Sequence, residues 1–303
     1  MENRRKNVNL AVFYFVETPK IKNIMKNMIQ ITNLNFGYNK DNSIFSDINL
    51  TISQGNIYGL LGENGVGKTT LLRLIAGLLF PNSGRCETFG NESKKRLPNM
   101  LEKIYYLPEI MDTPAIKISE YEKIYSPLYP NFNHTKFIEY LDIFSIDTKK
   151  KMKEFSHGQQ KKSMIAFALA CKTPLLLMDE PTNGLDIPSK SIFRQLITDN
   201  IDDNTTFIIS THQVRDLENL IDPIIILERN QILLNNTINE ITNKLKFTIE
   251  PQPTANSLHY EQTLGGFLCV EPNADKQETN VNIELLFNAA VKNKEYFKNN
   301  FIN

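Results

Sequence analysis

The chain is predicted to be an α/β protein with a doubly wound parallel core, and two observations carry that prediction. The first is Gly62-Glu63-Asn64-Gly65-Val66-Gly67-Lys68-Thr69, which fits the pattern G-x-x-x-x-G-K-[ST] and lies between the apolar run Ile57–Leu61 and the leucine-spaced run Leu71–Gly77. A strand, a glycine-rich turn and a helix in that order aim backbone N–H groups and a helix N-terminus at a polyphosphate. The second is a set of three short, continuous apolar runs, Leu175–Met178, Thr206–Ile209 and Ile224–Leu227, each the mark of a parallel strand covered on both faces.

The remaining elements follow along the chain. Arg4-Arg5-Lys6 and the apolar Ala11–Val16 imitate a signal peptide, but the apolar stretch is short and no small-residue cleavage site follows it, so residues 1–27 are read as an N-terminal extension without export. Met28 is then a plausible true start. Ile29–Leu34, Ile44–Ile52 and Ile57–Leu61 read as β segments joined by Asn/Gly/Asp turns, and the fold is expected to include an antiparallel β subdomain. Residues 110–172 are helix-rich and read as a lobe inserted into the core, which as a whole is expected to span 28–235. In 236–303, Pro251, Pro253 and Gly265-Gly266 punctuate strand-like Lys246–Glu250 and Phe267–Val270, and Ile283–Val291 reads as a helix. That pattern predicts a small C-terminal α+β unit packed on the core.

Composition narrows the function classes. With 34 Lys+Arg against 34 Asp+Glu there is no global positive field to recruit nucleic acid or anionic lipid. Cys86, Cys171 and Cys269 are odd in number, widely spaced and free of C-x-x-C pairing, the usage of reduced thiols in a cytosolic protein. Apolar stretches such as Ile224–Leu227 fall far short of the roughly 18–20 residues that cross a bilayer, so a membrane role requires a second chain to span it.

A second chemical feature is Leu175–Met178 running into Asp179-Glu180-Pro181. A buried strand that ends in two carboxylates puts charge at the carboxyl edge of the sheet, where open α/β folds bind ligands, and Mg²⁺-ATP is its natural compensation. Asp179 and the Thr69 hydroxyl suit the Mg²⁺ shell, and Glu180 is placed to polarise an attacking water.

Taken together, these motifs resemble the ATP-binding subunit of an ABC (ATP-binding cassette) transporter over about residues 28–235. Phe155-Ser156-His157-Gly158-Gln159-Gln160 is similar to the signature LSGGQ, Asn183-Gly184-Leu185-Asp186 to the D-loop, and His212 to the switch histidine. The resemblance implies a P-loop NTPase fold that hydrolyses ATP with Mg²⁺. ATP would be contacted by Tyr38, stacked on adenine, and by Asn64, Gly65, Gly67, Lys68, Thr69, Thr70 and Glu109. Glu180 and His212 would be catalytic, and Thr69, Asp179 and Glu109 would lie near the metal. Ser156, His157, Gly158 and Gln159 would act on nucleotide held by an opposite subunit, with Asp186 in the D-loop.

Because the chain has one phosphate loop and one signature, it is expected to form a homodimer or heterodimer of cassettes and to energise an integral membrane permease, in the export direction, from the cytoplasmic face. Two positions depart from the pattern: Glu109 stands where the family has glutamine, a change that also resembles exporter cassettes with separate membrane subunits, and His157 replaces the first signature glycine. Both bear on turnover, and they keep a poorly hydrolysing nucleotide sensor in view. A soluble ribosome- or DNA-acting cassette is the other alternative; it lacks support here, since neither a second cassette nor a long coiled coil is present.

Overall fold

The structure, a computed structural model, describes residues 27–39 and 42–302. The signal-like stretch Ala11–Val16 lies outside them. In chain order the described elements are β1 (Asn27–Asn39), β2 (Asn42–Ser53), β3 (Ile57–Leu61), α1 (Lys68–Ile75), β4 (Ser83–Thr88), β5 (Asn91–Glu92), α2 (Pro98–Leu101), β6 (Ile104–Leu107), α3 (Ile118–Tyr125), α4 (His134–Ile143), α5 (His157–Ala170), β7 (Leu175–Asp179), α6 (Ile187–Asn200), β8 (Thr206–Thr211), β9 (Ile224–Glu228), β10 (Gln231–Asn236), α7 (Ile238–Lys244), β11 (Leu245–Glu250), β12 (His259–Thr263), β13 (Gly266–Pro272), α8 (Ile283–Lys292) and α9 (Lys294–Phe301).

The central sheet has the order β10-β9-β3-β8-β7-β6, parallel except for the antiparallel edge strand β10. Side chains alternate across it, as a pleated strand requires. Ile57, Leu61, Leu176, Met178, Phe207 and Ile209 face a core shared with the helical lobe, through Phe137 and Phe167, and with α6, through Phe193. Tyr58, Leu60, Leu175, Leu177 and Ile208 face the other way, onto α1 and the antiparallel sheet β2-β1-β4-β5. Both faces being covered explains why β7 and β8 read as unbroken apolar runs.

Helix starts follow capping chemistry. Asn133 accepts a hydrogen bond from Lys136 N at 2.9 Å, Asp186 from Ser189 N at 2.9 Å, Thr237 from Glu240 N at 3.2 Å and Asn282 from Leu285 N at 2.8 Å. Helix α5 is buried over most of its surface and lacks a polar stripe, the pattern of a helix enclosed by neighbours.

The C-terminal sheet, β11-β13-β12, is antiparallel. Its elements share the first core: Leu245, Phe247, Val270, Leu285, Ala289 and Phe297 are buried in the same cluster as the central strands. Two ion pairs run alongside, Lys294 Nζ to Glu228 at 2.9 Å and Arg215 Nη2 to Glu284 at 2.9 Å. Among the described residues, no helix is long and apolar enough to cross a membrane.

Candidate nucleotide site

Four neighbouring parallel strands deliver the site residues at their carboxyl ends. After β3 comes the glycine loop, after β8 His212, after β7 Glu180 and after β6 Pro108 and Glu109. Gly67 caps α1 at φ 113° and offers no side-chain acceptor. A Cβ there would lie 2.8 Å from Ile44 Cγ2 and 2.9 Å from Phe45 Cζ, so both backbone angle and space require glycine. The first N–H groups of α1 are thereby left to an anion.

Lys68 is buried and folds back over the loop, its ammonium donating to Gly62 O at 2.7 Å and Glu63 O at 3.2 Å. It also stands 3.5 Å from Glu180 Oε1. Thr69 Oγ1 donates to Asp179 Oδ2 at 2.7 Å, and Ser210 Oγ donates to Asp179 Oδ1 at 2.7 Å. Tyr106 adds a longer contact to Asp179, 3.4 Å, and is itself contacted by Arg73 Nε at 3.4 Å. Burial is the main reason the Tyr106 phenol is pushed up to about 12, so it stays a donor.

Glu180 differs from Asp179. His212 Nδ1 lies 2.9 Å from Glu180 Oε1, yet neither carboxylate oxygen has a hydrogen bond although both are buried. A buried carboxylate without hydrogen bonds is costly and marks a place where a polar ligand belongs. The set fits Mg²⁺-nucleotide: one carboxylate and one hydroxyl, with the remaining ligands left to phosphate and water, are the usual protein share of a Mg²⁺ shell.

Other expected residues are placed as follows. Tyr38 is 51% exposed, with its hydroxyl 3.1 Å from Thr70 Oγ1 at the edge of the loop, so it is a rim residue and not core. Glu109 turns its carboxylate to Asn183, whose Nδ2 donates at 3.1 Å, and makes no hydrogen bond with Thr69 or Asp179.

At the signature, Ser156 Oγ accepts from Gln159 N at 3.3 Å and Gln159 Oε1 accepts from Ser156 N at 3.0 Å. The capping box takes up the Ser156 N–H, whereas the hydroxyl only accepts, and its own O–H stays available to an anion. His157 is exposed, and its ring overlies Gly184, where an added Cβ would lie 2.7 Å from Nδ1. Asp186 caps α6 and is 3.6 Å from Lys162; its bond from Ser189 holds its carboxyl below the usual range.

Sequence reading missed Ser210, Tyr106 and Lys161, and it named Asn183 only within the D-loop, without its bond to Glu109. Ser210 lay within the stretch preceding His212, and Lys161 is a lysine leading into the apolar run of α5; those were the available signals.

Comparison with known proteins agrees with this geometry. Residues 45–183 match the family described as ABC transporter. The chain is 35% identical over 195 residues to the ABC transporter ATP-binding protein YtrB of Bacillus subtilis, covering 63% of this chain and 66% of that protein. It is 34% identical over 213 residues to the bacitracin transport ATP-binding protein BcrA of Bacillus licheniformis, covering 69% of each. In fold it resembles the solved ATP-binding subunit of an ABC transporter, with a TM-score of 0.64 and 22% identity over 71% of this chain and 91% of that one. The chain therefore belongs to the ABC transporter ATP-binding proteins and is the ATP-binding subunit of a transport system.

Proposed function

We propose that the chain hydrolyses Mg²⁺-ATP and uses the cycle to drive export through a separate membrane permease. The observation that carries this reading is Glu180, a buried carboxylate with no hydrogen bond, 2.9 Å from His212 and next in sequence to Asp179. Lys68 and the N-terminus of α1 would hold the phosphates, and Thr69 and Asp179 would hold Mg²⁺, which would supply charge neutralisation on the phosphates. Glu180 accepts the proton of the attacking water, and His212 orients the carboxylate and the outer phosphate.

Two copies face one another in this reading. The exposed start of α5 then reaches the nucleotide of the opposite copy, and the Ser156 cap exchanges part of its local bonding for phosphate. Motion between the helical lobe and the sheet passes to the permease through the junction at Glu109. Export is supported by the junction sequence Tyr106–Glu109 and by similarity to a protein named for bacitracin transport.

A nucleotide sensor with slow turnover is the second reading, favoured by the Glu109–Asn183 bond and by His157 over Gly184. Steady-state phosphate release by the purified chain separates the two. Turnover that is lost in Glu180→Gln supports the motor; ATP binding without measurable release supports the sensor.

A further inference from the structure

Lys161 lies one turn into α5 and is fully buried. An ammonium removed from water must be matched by acceptors or by anions. Its Nζ donates to Glu109 O at 2.8 Å and Pro108 O at 3.3 Å, and reaches Glu180 O at 3.5 Å. An ammonium has three donors, and here there are three carbonyls to receive them. Burial lowers its pKa, an effect opposed by the charges of Glu109, Asp179 and Glu180.

Those carbonyls come from the ends of two strands, β6 and β7, and one of them belongs to a strained residue. Glu180 has φ 46° and precedes Pro181, a left-handed conformation for a non-glycine residue that surrounding contacts must hold in place. Ser210 Oγ holds its N–H at 3.0 Å, and its carbonyl is shared by Lys161 and by Asn183 N at 3.2 Å. Asn183 Nδ2 in turn donates to the Glu109 carboxylate. The bonds close a ring: Lys161 to Glu109, Glu109 to Asn183, Asn183 to Glu180, and Glu180 back to Lys161.

We propose that Lys161 is a positioning residue: its ammonium joins the helix that begins at Ser156, the lobe junction at Glu109 and the backbone of Glu180 into one unit that moves together. This rests on the hydrolysis assigned to Glu180. The ring converts a displacement of the lobe into a displacement of the catalytic carboxylate, and so links permease contact to water activation. A hydrophobic replacement leaves the part-buried Pro108 and Glu109 carbonyls without this donor and loosens the strained backbone of Glu180.

The test uses Lys161→Met and Lys161→Gln in the full chain, with turnover, ATP affinity and amide hydrogen exchange measured together. Lys161→Met is expected to lose about tenfold to a hundredfold in turnover at saturating Mg²⁺-ATP, as mispositioning does, while ATP affinity stays within about threefold. Exchange at the Glu109, Ile110, Glu180 and Asn183 amides is expected to rise. Lys161→Gln, which keeps two donors, is expected to fall between wild type and Lys161→Met; if Lys161→Met does not fold, a drop of about threefold in Lys161→Gln with faster exchange at the same amides is the supporting result. Wild-type turnover and exchange in the folded variants overturn the proposal, as does a parallel loss of ATP affinity. If the wild-type chain releases no phosphate, the hydrolysis reading fails by itself, and the exchange result still decides whether Lys161 holds the ring.

Discussion

The phosphate loop and the signature both lead into helices to which the proposed function assigns phosphate, yet they are built in opposite ways. At α1 the cap is a glycine with no side chain; Thr69 and Ser210 are already bonded to Asp179, and Lys68 is bonded to the loop carbonyl of Gly62. At α5 the cap is Ser156, whose own hydroxyl closes a capping box while the residue stays exposed. The first is an anion site preorganised within a single chain; the second satisfies itself until a ligand arrives. In the function proposed above, nucleotide binding is a property of one chain, whereas the signature contributes only when a second copy brings phosphate to it.

Changes on the preorganised side carry the largest expected effects. Glu180→Gln is expected to reduce phosphate release by about 10²- to 10⁴-fold, the usual contribution of a positioned general base, with ATP affinity retained. Single-turnover release together with equilibrium binding checks both halves, and equal loss of affinity would break the assignment. Lys68→Ala is expected to weaken ATP binding by about tenfold to a hundredfold, since a charge-assisted contact contributes about 1.5–3 kcal/mol. Calorimetric titration with Mg²⁺-ATP reads this directly, and unchanged affinity would remove Lys68 from the phosphate site.

The signature side predicts a different profile. Ser156→Ala is expected to leave ATP affinity of the isolated chain within about twofold, to lower turnover, and to cost about 1 kcal/mol of stability through the lost cap. Thermal unfolding without nucleotide measures the last term apart from catalysis. A variant equally stable and equally active would show that Ser156 serves neither cap nor phosphate.

The smallest expected effect lies in the core beneath both sites. Burial pushes the Cys86 thiol up to about 11 and raises Cys171 further. A raised folded pKa means that the stabilising contribution is complete below the unfolded value near 9 and is lost as pH climbs through the folded value. At pH 8.5 the native chain should therefore resist iodoacetamide at both positions, and rapid labelling read by mass spectrometry would show the core to be open there.

Legibility in the sequence followed how local each feature is. Gly62–Thr69 is contiguous, and β7, β8 and β9 are apolar on both faces, so loop and central strands could be read directly. The short or exposed strands β4, β5 and β12 have no such run and went unread; β12, His259–Thr263, exposes most of its polar residues at a sheet edge. Ser156 was recognised by type, but its backbone N–H is taken by the Gln159 side chain three residues on, a local bond that the motif resemblance passed over. Lys161 escaped for a plainer reason: its acceptors lie 19 to 53 residues away, and a lysine near the start of a helix looks like a solvated side chain until the fold buries it.

The central claim, that one chain carries a complete nucleotide half-site and a signature that acts on a second copy, is tested most directly by light scattering. Glu180→Gln should be monomeric without nucleotide and double its mass with saturating Mg²⁺-ATP, and adding Ser156→Glu should keep it monomeric while ATP still binds. A Glu180→Gln chain that stays monomeric at tens of micromolar with ATP bound, or a dimer indifferent to Ser156→Glu, would contradict the claim.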